Sequence, residues 1–279
     1  MFEKLIVKLS GIDCSKKNPI DYDILLRSPG QSLNEELEKI KDRLLEKVFK
    51  AFLVALLGIL TVIVFDLSLY FEMLFVLIPF MYSILLLSKN IVNMRNYKLG
   101  RDGERSVAQY LSIVARQVSK ENSNMHIYHD LVNEKKKFNI DHVVVSKKGI
   151  FIVETKTYRK DKDITNKITS NGKELFKNAY KMTNNISLQV KGQVQWLQSE
   201  LLQTTGKKYE IISTIAFVGW YVEGDKINDI YITQAKTLKN IFEHQYSDVI
   251  YDNEELKRIT SCIHKLATVT NKKHIDICK

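Results

Sequence analysis

The amino-acid sequence predicts a mixed α/β domain, in the order helix, three strands, helix and strand, preceded by a transmembrane helical hairpin. Three observations support this prediction. The stretch Ala51–Ser88 contains no Lys or Arg and is almost wholly apolar. β-rich runs follow between residues 126 and 157, and apolar residues at helical spacing lie on both sides of them. A length of 279 residues suits one sizeable soluble domain with additional segments.

These observations divide the chain into four parts. Residues 1–30 form an N-terminal segment whose role the sequence does not indicate. Residues 31–98 hold an amphipathic helix and two transmembrane helices. Residues 99–245 form the α/β domain, and residues 246–279 form a C-terminal helical segment.

The apolar stretch is long enough for two membrane crossings. Ala51–Phe65 is apolar or small throughout and Met73–Leu87 nearly so, while the acidic residues Asp66 and Glu72 lie between them. One crossing needs about 20 residues, so each run fits one crossing with a few flanking residues. A helix that starts at the capping box Ser32-Leu-Asn-Glu35 is predicted to lead into the first crossing. The alternative, a buried hairpin in a soluble core, is less favoured because such cores seldom need so long a stretch without a basic residue.

Basic residues flank the hairpin on both sides and predict its orientation. They are Lys41, Arg43, Lys47 and Lys50 before it, and Lys89, Arg95, Lys98 and Arg101 after it. The positive-inside rule places both chain ends, and with them the α/β domain, in the cytoplasm. We therefore expect a multi-pass protein of the cell membrane with the lipid bilayer as a partner. A transporter or channel is disfavoured, because the crossings carry no charge except the turn acids and offer no obvious ion path.

The elements of the α/β domain follow from apolar spacing. The first helix is indicated by Val107, Leu111, Val114 and Val118, and the second by the apolar residues from Ile186 to Leu201. Strands are predicted at His126–Val132, Phe138–Val145, Ile150–Thr157, Tyr209–Trp220 and Ile230–Ile232, and further helices at Thr237–Glu243 and Asn253–Thr268. The polar stretch Tyr158–Gly172 is predicted to be a loop.

The second and third strands carry the most informative residues of the chain. They are separated by the polar turn Ser146-Lys-Lys-Gly149, which is typical of a hairpin. If Val145 pairs with Ile150, Asp141 lies opposite Glu154, and like charges in such a pair repel each other. Glu154 and Lys156 share one face of their strand because side chains alternate.

An acidic residue inside an apolar strand is poorly suited to that position, so a specific role for both carboxylates is favoured over a solvent-facing one. A divalent cation would relieve their repulsion. Hard oxygen ligands suit Mg²⁺ or Mn²⁺. The sequence therefore predicts a metal site at Asp141 and Glu154.

This ordered set of residues resembles the PD-(D/E)XK nuclease superfamily and, more closely, the nuclease-related domain, NERD. The matching segments are Gly100-Arg-Asp-Gly-Glu104, Ile140-Asp-His-Val-Val144, Gly149-Ile-Phe-Ile-Val-Glu-Thr-Lys156 and Asn185-Ile-Ser-Leu-Gln189. The resemblance covers about residues 98–220. One departure is Ile186, where the family usually has Pro. That position lies at a helix start, where Pro is merely favourable.

The resemblance implies a restriction-endonuclease-like core and a nucleic-acid partner, with DNA favoured over RNA. It implies catalytic roles for Glu104, Asp141, Glu154, Lys156 and Gln189. Glu104 would join the two strand carboxylates as a metal ligand, directly or through water. Lys156 would place the attacking water and stabilise negative charge on the phosphoryl group.

For several of these residues, a structural role or a solvent-exposed position is an open alternative to a functional role. Glu104 could be an acid at a helix N-terminus, favoured by the helix dipole, and Gln189 a surface glutamine. His142 is expected to be a packed histidine and Trp196 a core residue, although Trp196 or Tyr158 could stack on bases. The lysines at 135–137 and 147–148 suit solvated turns or phosphate contacts.

The overall charge fits this interpretation without deciding it. A net charge of +10 suits a polyanionic partner or an anionic membrane surface. Cys14, Cys262 and Cys278 are scattered and odd in number, as expected of reduced cytosolic thiols. The leading hypothesis is a membrane-anchored, metal-dependent nuclease. The alternative is a membrane-tethered module that binds nucleic acid or a protein without cleaving it.

Overall fold

The structure is a computed structural model that describes residues 25–64, 69–119, 125–133, 138–162, 164–182, 185–244 and 250–268. Several predicted features lie outside these residues. They are most of the N-terminal segment, the turn acid Asp66, the lysines at 135–137, and Cys14 and Cys278.

Two long helices begin the described chain. Helix α1 spans Gln31–Val64 and helix α2 spans Leu69–Ser119, and the two pack along each other. Both are long and apolar enough to cross a membrane. The most apolar stretch of α2 has no buried residue, and 17% of the most apolar stretch of α1 is buried.

Helix α2 is continuous from the apolar run into the α/β domain, which the sequence did not predict. Gly100 and Gly103 do not interrupt it because tertiary packing holds the helix there. A Cβ on Gly103 would lie 1.9 Å from Thr157 Oγ1, so only glycine allows the helix to approach the end of the third strand this closely. The helix-N-terminus alternative for Glu104 is therefore wrong, since Glu104 lies far inside a helix.

The capping-box prediction is also wrong. Helix α1 begins at Gln31, one residue before Ser32. The Ser32 N–H and hydroxyl both donate to Asp130 of a distant strand, at 2.8 and 2.9 Å. A long-range carboxylate has replaced the local cap, and this joins the start of α1 to the α/β domain.

The predicted mixed α/β class is confirmed. Strands β1 to β3 span His126–Asn133, Phe138–Ser146 and Gly149–Lys156; β4 to β6 span Lys167–Ser170, Leu175–Lys177 and Tyr180–Lys181; and β7 to β10 span Ile211–Phe217, Tyr221–Glu223, Lys226–Ile227 and Ile230–Gln234. Helix α3 spans Asn185–Thr205 between β6 and β7. After β10 come a 3₁₀ turn at Ala235–Thr237, helix α4 at Leu238–His244 and helix α5 at Asn253–Ala267.

The central sheet has the order β1-β2-β3-β7-β10-β9. Strands β1 to β3 are antiparallel, and β7 joins β3 in parallel. Both faces are covered, which explains why β2 and β3 are almost continuously apolar. Ile150 and Ile152 pack toward α3 and α5, whereas Phe151 and Val153 pack toward α2 and α4.

A second, four-stranded sheet of order β6-β5-β4-β8 lies beside α3. Its strand β4 occupies part of the stretch Tyr158–Gly172, so the prediction of a loop there is wrong over Lys167–Ser170. These strands are two to four residues long and too short to carry a periodic apolar signal.

Candidate active site

The β2–β3 hairpin has the register that the sequence predicts. Val145 pairs with Ile150, and His142 pairs with Val153. One residue further along this register, Asp141 and Glu154 face each other at the open end of the hairpin. Both side chains project to the α3 side of the sheet, because they share strand parity with the residues that pack there.

Asp141 is buried and bound to the neighbouring strand. Its Oδ2 accepts the backbone N–H of Thr155 at 2.7 Å. Burial raises the pKa of the Asp141 carboxyl well above its usual range, and the charges of Glu154 and Glu104 raise it further. A carboxylate in this position requires a compensating positive charge or a proton.

Glu154 is only 2% exposed and accepts hydrogen bonds at both oxygens. Oε1 accepts from Lys156 Nζ at 2.5 Å and from Gln189 Nε2 at 2.8 Å. Oε2 accepts from Gln193 Nε2 at 2.7 Å. The Glu154 carboxylate is thus fixed by donors from both layers of the fold, Lys156 from strand β3 and two glutamines from helix α3.

Lys156 ends strand β3 at the mouth of the site. Burial acts to lower the pKa of its ammonium, but the charges of Glu154 and Asp141 outweigh burial and raise that pKa above its usual value. The ammonium also donates to Gln189 Oε1 at 3.2 Å. Lys156 is therefore a fixed positive charge rather than a proton acceptor at neutral pH.

Glu104 enters the site from helix α2, on the far side of the sheet edge. It is 4% exposed, and its Oε2 is buried without a hydrogen-bond partner among the described residues. Burial raises the pKa of the Glu104 carboxyl to about 8, with the charges of Asp130 and Glu154 acting in the same direction. The backbone N–H of Gly30 donates to Glu104 and partly offsets this rise.

Asp130 is a fourth acidic residue, beside Glu104, Asp141 and Glu154, that could not be singled out from the sequence. It is fully buried in β1 and adopts a positive φ of 53°. Its Oδ2 accepts from Arg27 Nε at 2.9 Å, and its Oδ1 accepts from Asn139 Nδ2 at 2.7 Å. Ser32 also donates to Oδ2, so both carboxylate oxygens of Asp130 have hydrogen-bond donors. Because Arg27 and Ser32 are among these donors, Asp130 fixes the start of the described chain to strand β1.

The chemistry of the site fits a divalent cation. Its acidic groups repel one another, and Glu104 Oε2 is an unpartnered hard oxygen in a buried position. Among the described residues, however, no group of three or more His, Cys, Asp or Glu side chains is arranged to hold a metal ion. The Lys156 ammonium already lies 2.5 Å from Glu154 Oε1, where a metal ion would bind that carboxylate. Metal binding would require Lys156 to move away from that oxygen.

Gln193 is a second residue that sequence reasoning missed. It is fully buried and bridges Glu154 Oε2 and the Asn139 carbonyl. The available signal was its spacing, since Gln193 lies four residues after Gln189 on one face of α3. Gln189 itself is exposed at the mouth of the site.

The structure confirms that His142 and Trp196 are packed inside the fold, as expected. His142 is fully buried and contacts His129 Nδ1 at 2.8 Å. Trp196 is buried in the core against Phe138. Tyr158 is half-buried against Trp220 and so is only partly available for stacking.

A cleft of about 520 Å³ lies elsewhere, between α3 and the starts of β7 and β10. None of the five predicted site residues lines it. At the carboxylate site, the side chains of Lys156, Gln189 and Gln193 surround the Glu154 carboxylate.

Residues 99–218 match the family model of NERD, described as the nuclease-related domain. The match includes all five predicted site residues. No curated protein and no solved structure matches the chain. This match supports a nuclease-related domain over residues 99–218 and suggests a nuclease-related function.

Proposed function

We propose that this protein is a membrane-anchored, metal-dependent nuclease that hydrolyses phosphodiester bonds of nucleic acid on the cytoplasmic side of the cell membrane. The observation that carries this proposal is the meeting of Glu104, Asp141 and Glu154 with the Lys156 ammonium inside a nuclease-related domain. Strongly perturbed carboxyl pKa values beside a specific charge partner are typical of catalytic sites.

The element order supports a PD-(D/E)XK, restriction-endonuclease-like core. The last turns of α2 are followed by the antiparallel strands β1, β2 and β3, then by α3 and the parallel strand β7. The short strands β4–β6 are an insertion before α3. In this interpretation Asp141 is the first carboxylate of the motif, and Glu154 and Lys156 are its paired acid and lysine.

Asp141 and Glu154 would hold Mg²⁺ or Mn²⁺, with Glu104 as a third ligand directly or through water. When bound, such an ion polarises the scissile phosphate and lowers the pKa of the attacking water. Release of Lys156 from Glu154 Oε1 would free this ammonium for the substrate. There it would stabilise the negative charge that develops on the phosphoryl oxygens.

The two glutamines of α3 position these groups. Gln193 holds Glu154 through Oε2 and is itself fixed by the Asn139 carbonyl at 2.9 Å. Gln189 contacts both Glu154 and Lys156 and lies at the solvent side. It is therefore placed to keep Lys156 at the mouth of the site when the ion pair opens.

Membrane anchoring is the second part of the proposal. The apolar side chains of both long helices are exposed, including Phe52, Leu57, Ile78 and Phe80 at 59–62%. Water would penalise such a surface, and the hydrocarbon of a bilayer would cover it. The basic flanks favour a cytoplasmic location for the α/β domain.

One observation favours a second function, a non-catalytic module that binds nucleic acid or protein. Both oxygens of Glu154 are already satisfied by protein donors, and Lys156 neutralises it without a metal ion. In a binding module this ion pair would be permanent. The two functions differ in their response to metal and in the need for Lys156.

Cleavage assays on the full chain in detergent micelles test the proposal. Labelled DNA and RNA, single- and double-stranded, would be incubated with Mg²⁺, Mn²⁺ or a chelator. We expect metal-dependent cleavage that Lys156→Ala and Glu154→Gln abolish. The matched control is Lys147→Ala with Lys148→Ala, which removes turn lysines and should weaken binding in a salt-dependent way at most.

Melting curves separate loss of metal from loss of chemistry. Millimolar Mg²⁺ should raise the melting temperature of the wild type, because it binds the folded state. Asp141→Asn should abolish this rise, whereas Lys156→Ala should keep it, since an ammonium is not a ligand. The exposed Asp225→Asn serves as a control. Cleavage by Lys156→Ala at the wild-type rate would refute the nuclease site built on this motif, whereas binding without cleavage by the wild type would favour the binding module.

A further inference from the structure

A cleft of about 390 Å³ lies between α1 and α2, just below the apolar part of the hairpin. Its apolar lining comes from Leu37 of α1 and from Ile91 and Met94 of α2. Its remaining lining residues are all basic, namely Lys41, Arg95, Lys98 and Arg101. No acidic residue lines it.

The charges around this cleft are only partly compensated. Lys41 pairs with Glu38 at 2.7 Å, and Arg101 pairs with Asp102 at 3.0 Å. Arg101 also donates to Asn34 at 3.0 Å. These contacts fix two basic side chains at the wall of the cleft.

Arg95 and Lys98 have no such partner. Within the part of the chain that the structure describes, neither makes a hydrogen bond or an ion pair. Both are exposed and lie one turn apart on α2. The cleft therefore carries two uncompensated positive charges over an apolar floor.

The cleft lies at the border between the headgroup layer and the cytoplasm. The apolar run ends at Ser88, and Ile91 and Arg95 lie about 4.5 Å and about 10 Å beyond it along α2. The polar layer on each side of the hydrocarbon is roughly 5–8 Å thick. Long basic side chains extend back toward the interface, so the cations of this cleft are within reach of a lipid phosphate.

We propose that this cleft binds the headgroup of an anionic phospholipid from the cytoplasmic leaflet. The phosphodiester would lie against Arg95 and Lys98, and the upper part of the lipid would pack on Ile91 and Met94. A net negative lipid is favoured over a zwitterionic one because the cleft contains no carboxylate to receive a choline cation. This inference rests on the proposed membrane anchoring and is independent of nuclease activity.

The experiment uses the full chain in nanodiscs of phosphatidylcholine that contain spin-labelled phosphatidylglycerol as a minor component. Electron paramagnetic resonance measures the motionally restricted label, at a salt concentration that screens surface charge. The double variant Arg95→Gln with Lys98→Gln should lower the preference for phosphatidylglycerol by about 25-fold, because each cation contributes about fivefold. Unchanged tryptophan emission would show that the α/β domain stays folded.

The matched control is Lys47→Gln with Lys50→Gln, which removes the same charge near the membrane surface but outside the cleft. Its preference should change by no more than about twofold at this salt concentration. An equal loss in both double variants would overturn the proposal in favour of nonspecific surface attraction.

Two further arms distinguish other ligands. Displacement of the label by inorganic phosphate would overturn the lipid in favour of a free anion, and equal restriction of labelled phosphatidylcholine would remove the anion selectivity. Extraction of the wild type from native membranes by an alkaline wash would overturn the anchoring and the lipid site together. Retention in the membrane without lipid preference would overturn the lipid site alone.

Discussion

The contact between Arg27 and Asp130 offers the most direct test of how the N-terminal segment joins the α/β domain. Asp130 is fully buried and the Arg27 side chain is 10% exposed, and their charged atoms lie 2.7 Å apart. Arg27→Met keeps the aliphatic bulk but leaves the Asp130 carboxylate with neutral donors alone. Breaking a buried ion pair from one side costs about 3–5 kcal/mol.

The structure places the expected cost at the lower end of that range. Asp130 keeps the Ser32 N–H, the Ser32 hydroxyl and the Asn139 amide as donors after the change. We therefore expect Arg27→Met to lower the free energy of unfolding by about 3 kcal/mol. The double variant with Asp130→Asn should lose less than the two single variants together, because the uncompensated charge is gone.

Guanidinium unfolding of the full chain in micelles, followed by tryptophan fluorescence, measures this effect. The chain has two tryptophans, Trp196 and Trp220, and both are buried in the α/β domain. The signal therefore reports that domain and not the hairpin. Arg43→Met on the exposed face of α1 is the control, with an expected change within about 0.5 kcal/mol. A cost for Arg27→Met no larger than this control would refute the reasoning.

Three further predictions follow from other parts of the molecule. Gly103→Ala should lower the free energy of unfolding by about 1–3 kcal/mol in the same assay, because its Cβ would lie 1.9 Å from Thr157 Oγ1. Adding Thr157→Gly should recover part of this loss. If it recovers none, the cause is not this steric contact. Burial lowers the pKa of His129 to about 4 from 6.5. The neutral His129 side chain therefore gives its full contribution to the free energy of unfolding above pH 6.5. As the pH falls toward 4, the free energy of unfolding should decrease by up to about 3 kcal/mol. His129→Asn should flatten this acid-side slope, and an unchanged slope would exclude His129 as its source. Reporter fusions at both chain ends should indicate the cytoplasm, and an extracytoplasmic signal from either end would reverse the proposed topology.

The hairpin register could be predicted from sequence because it is encoded locally. Two apolar strands joined by a short polar turn leave few ways to pair Val145 with Ile150 and keep both apolar faces covered. The same local logic predicted helix α3, whose apolar residues recur at helical spacing. Asp141, Glu154 and Lys156 could be singled out because charged residues are poorly suited to such strands.

The missed features depend on contacts between distant residues. Arg27 and Asp130 are separated by 103 positions, and no periodicity links them. The continuity of α2 through Gly103 depends on packing against Thr157, which overrides the low helix propensity of glycine. Gln193 could not be singled out because its partner, Glu154, lies on a strand that is 39 positions away in the sequence.

The membrane hairpin and the candidate site are joined more closely than a flexible tether would join them. Gly30 donates to Glu104, and Arg27 and Ser32 satisfy Asp130, whose charge helps to raise the pKa of Glu104. Gly30 has a positive φ of 72°, and a Cβ there would lie 2.8 Å from Arg101 Cγ, so the segment is held against α2 by close packing.

A fragment that begins at residue 99 would lack all three of these contacts. Its Asp130 would lose its ion-pair partner and both Ser32 donors, so the fragment carries the Arg27→Met defect with two further donors removed. We therefore expect the fragment to unfold at a lower guanidinium concentration than the full-length Arg27→Met variant, with fluorescence as the readout. Supplying residues 25–50 as a separate peptide should restore part of the difference, whereas a peptide carrying Arg27→Met should restore less. A fragment as stable as the full chain would mean that the hairpin serves only as an anchor and that the acidic site is complete without it.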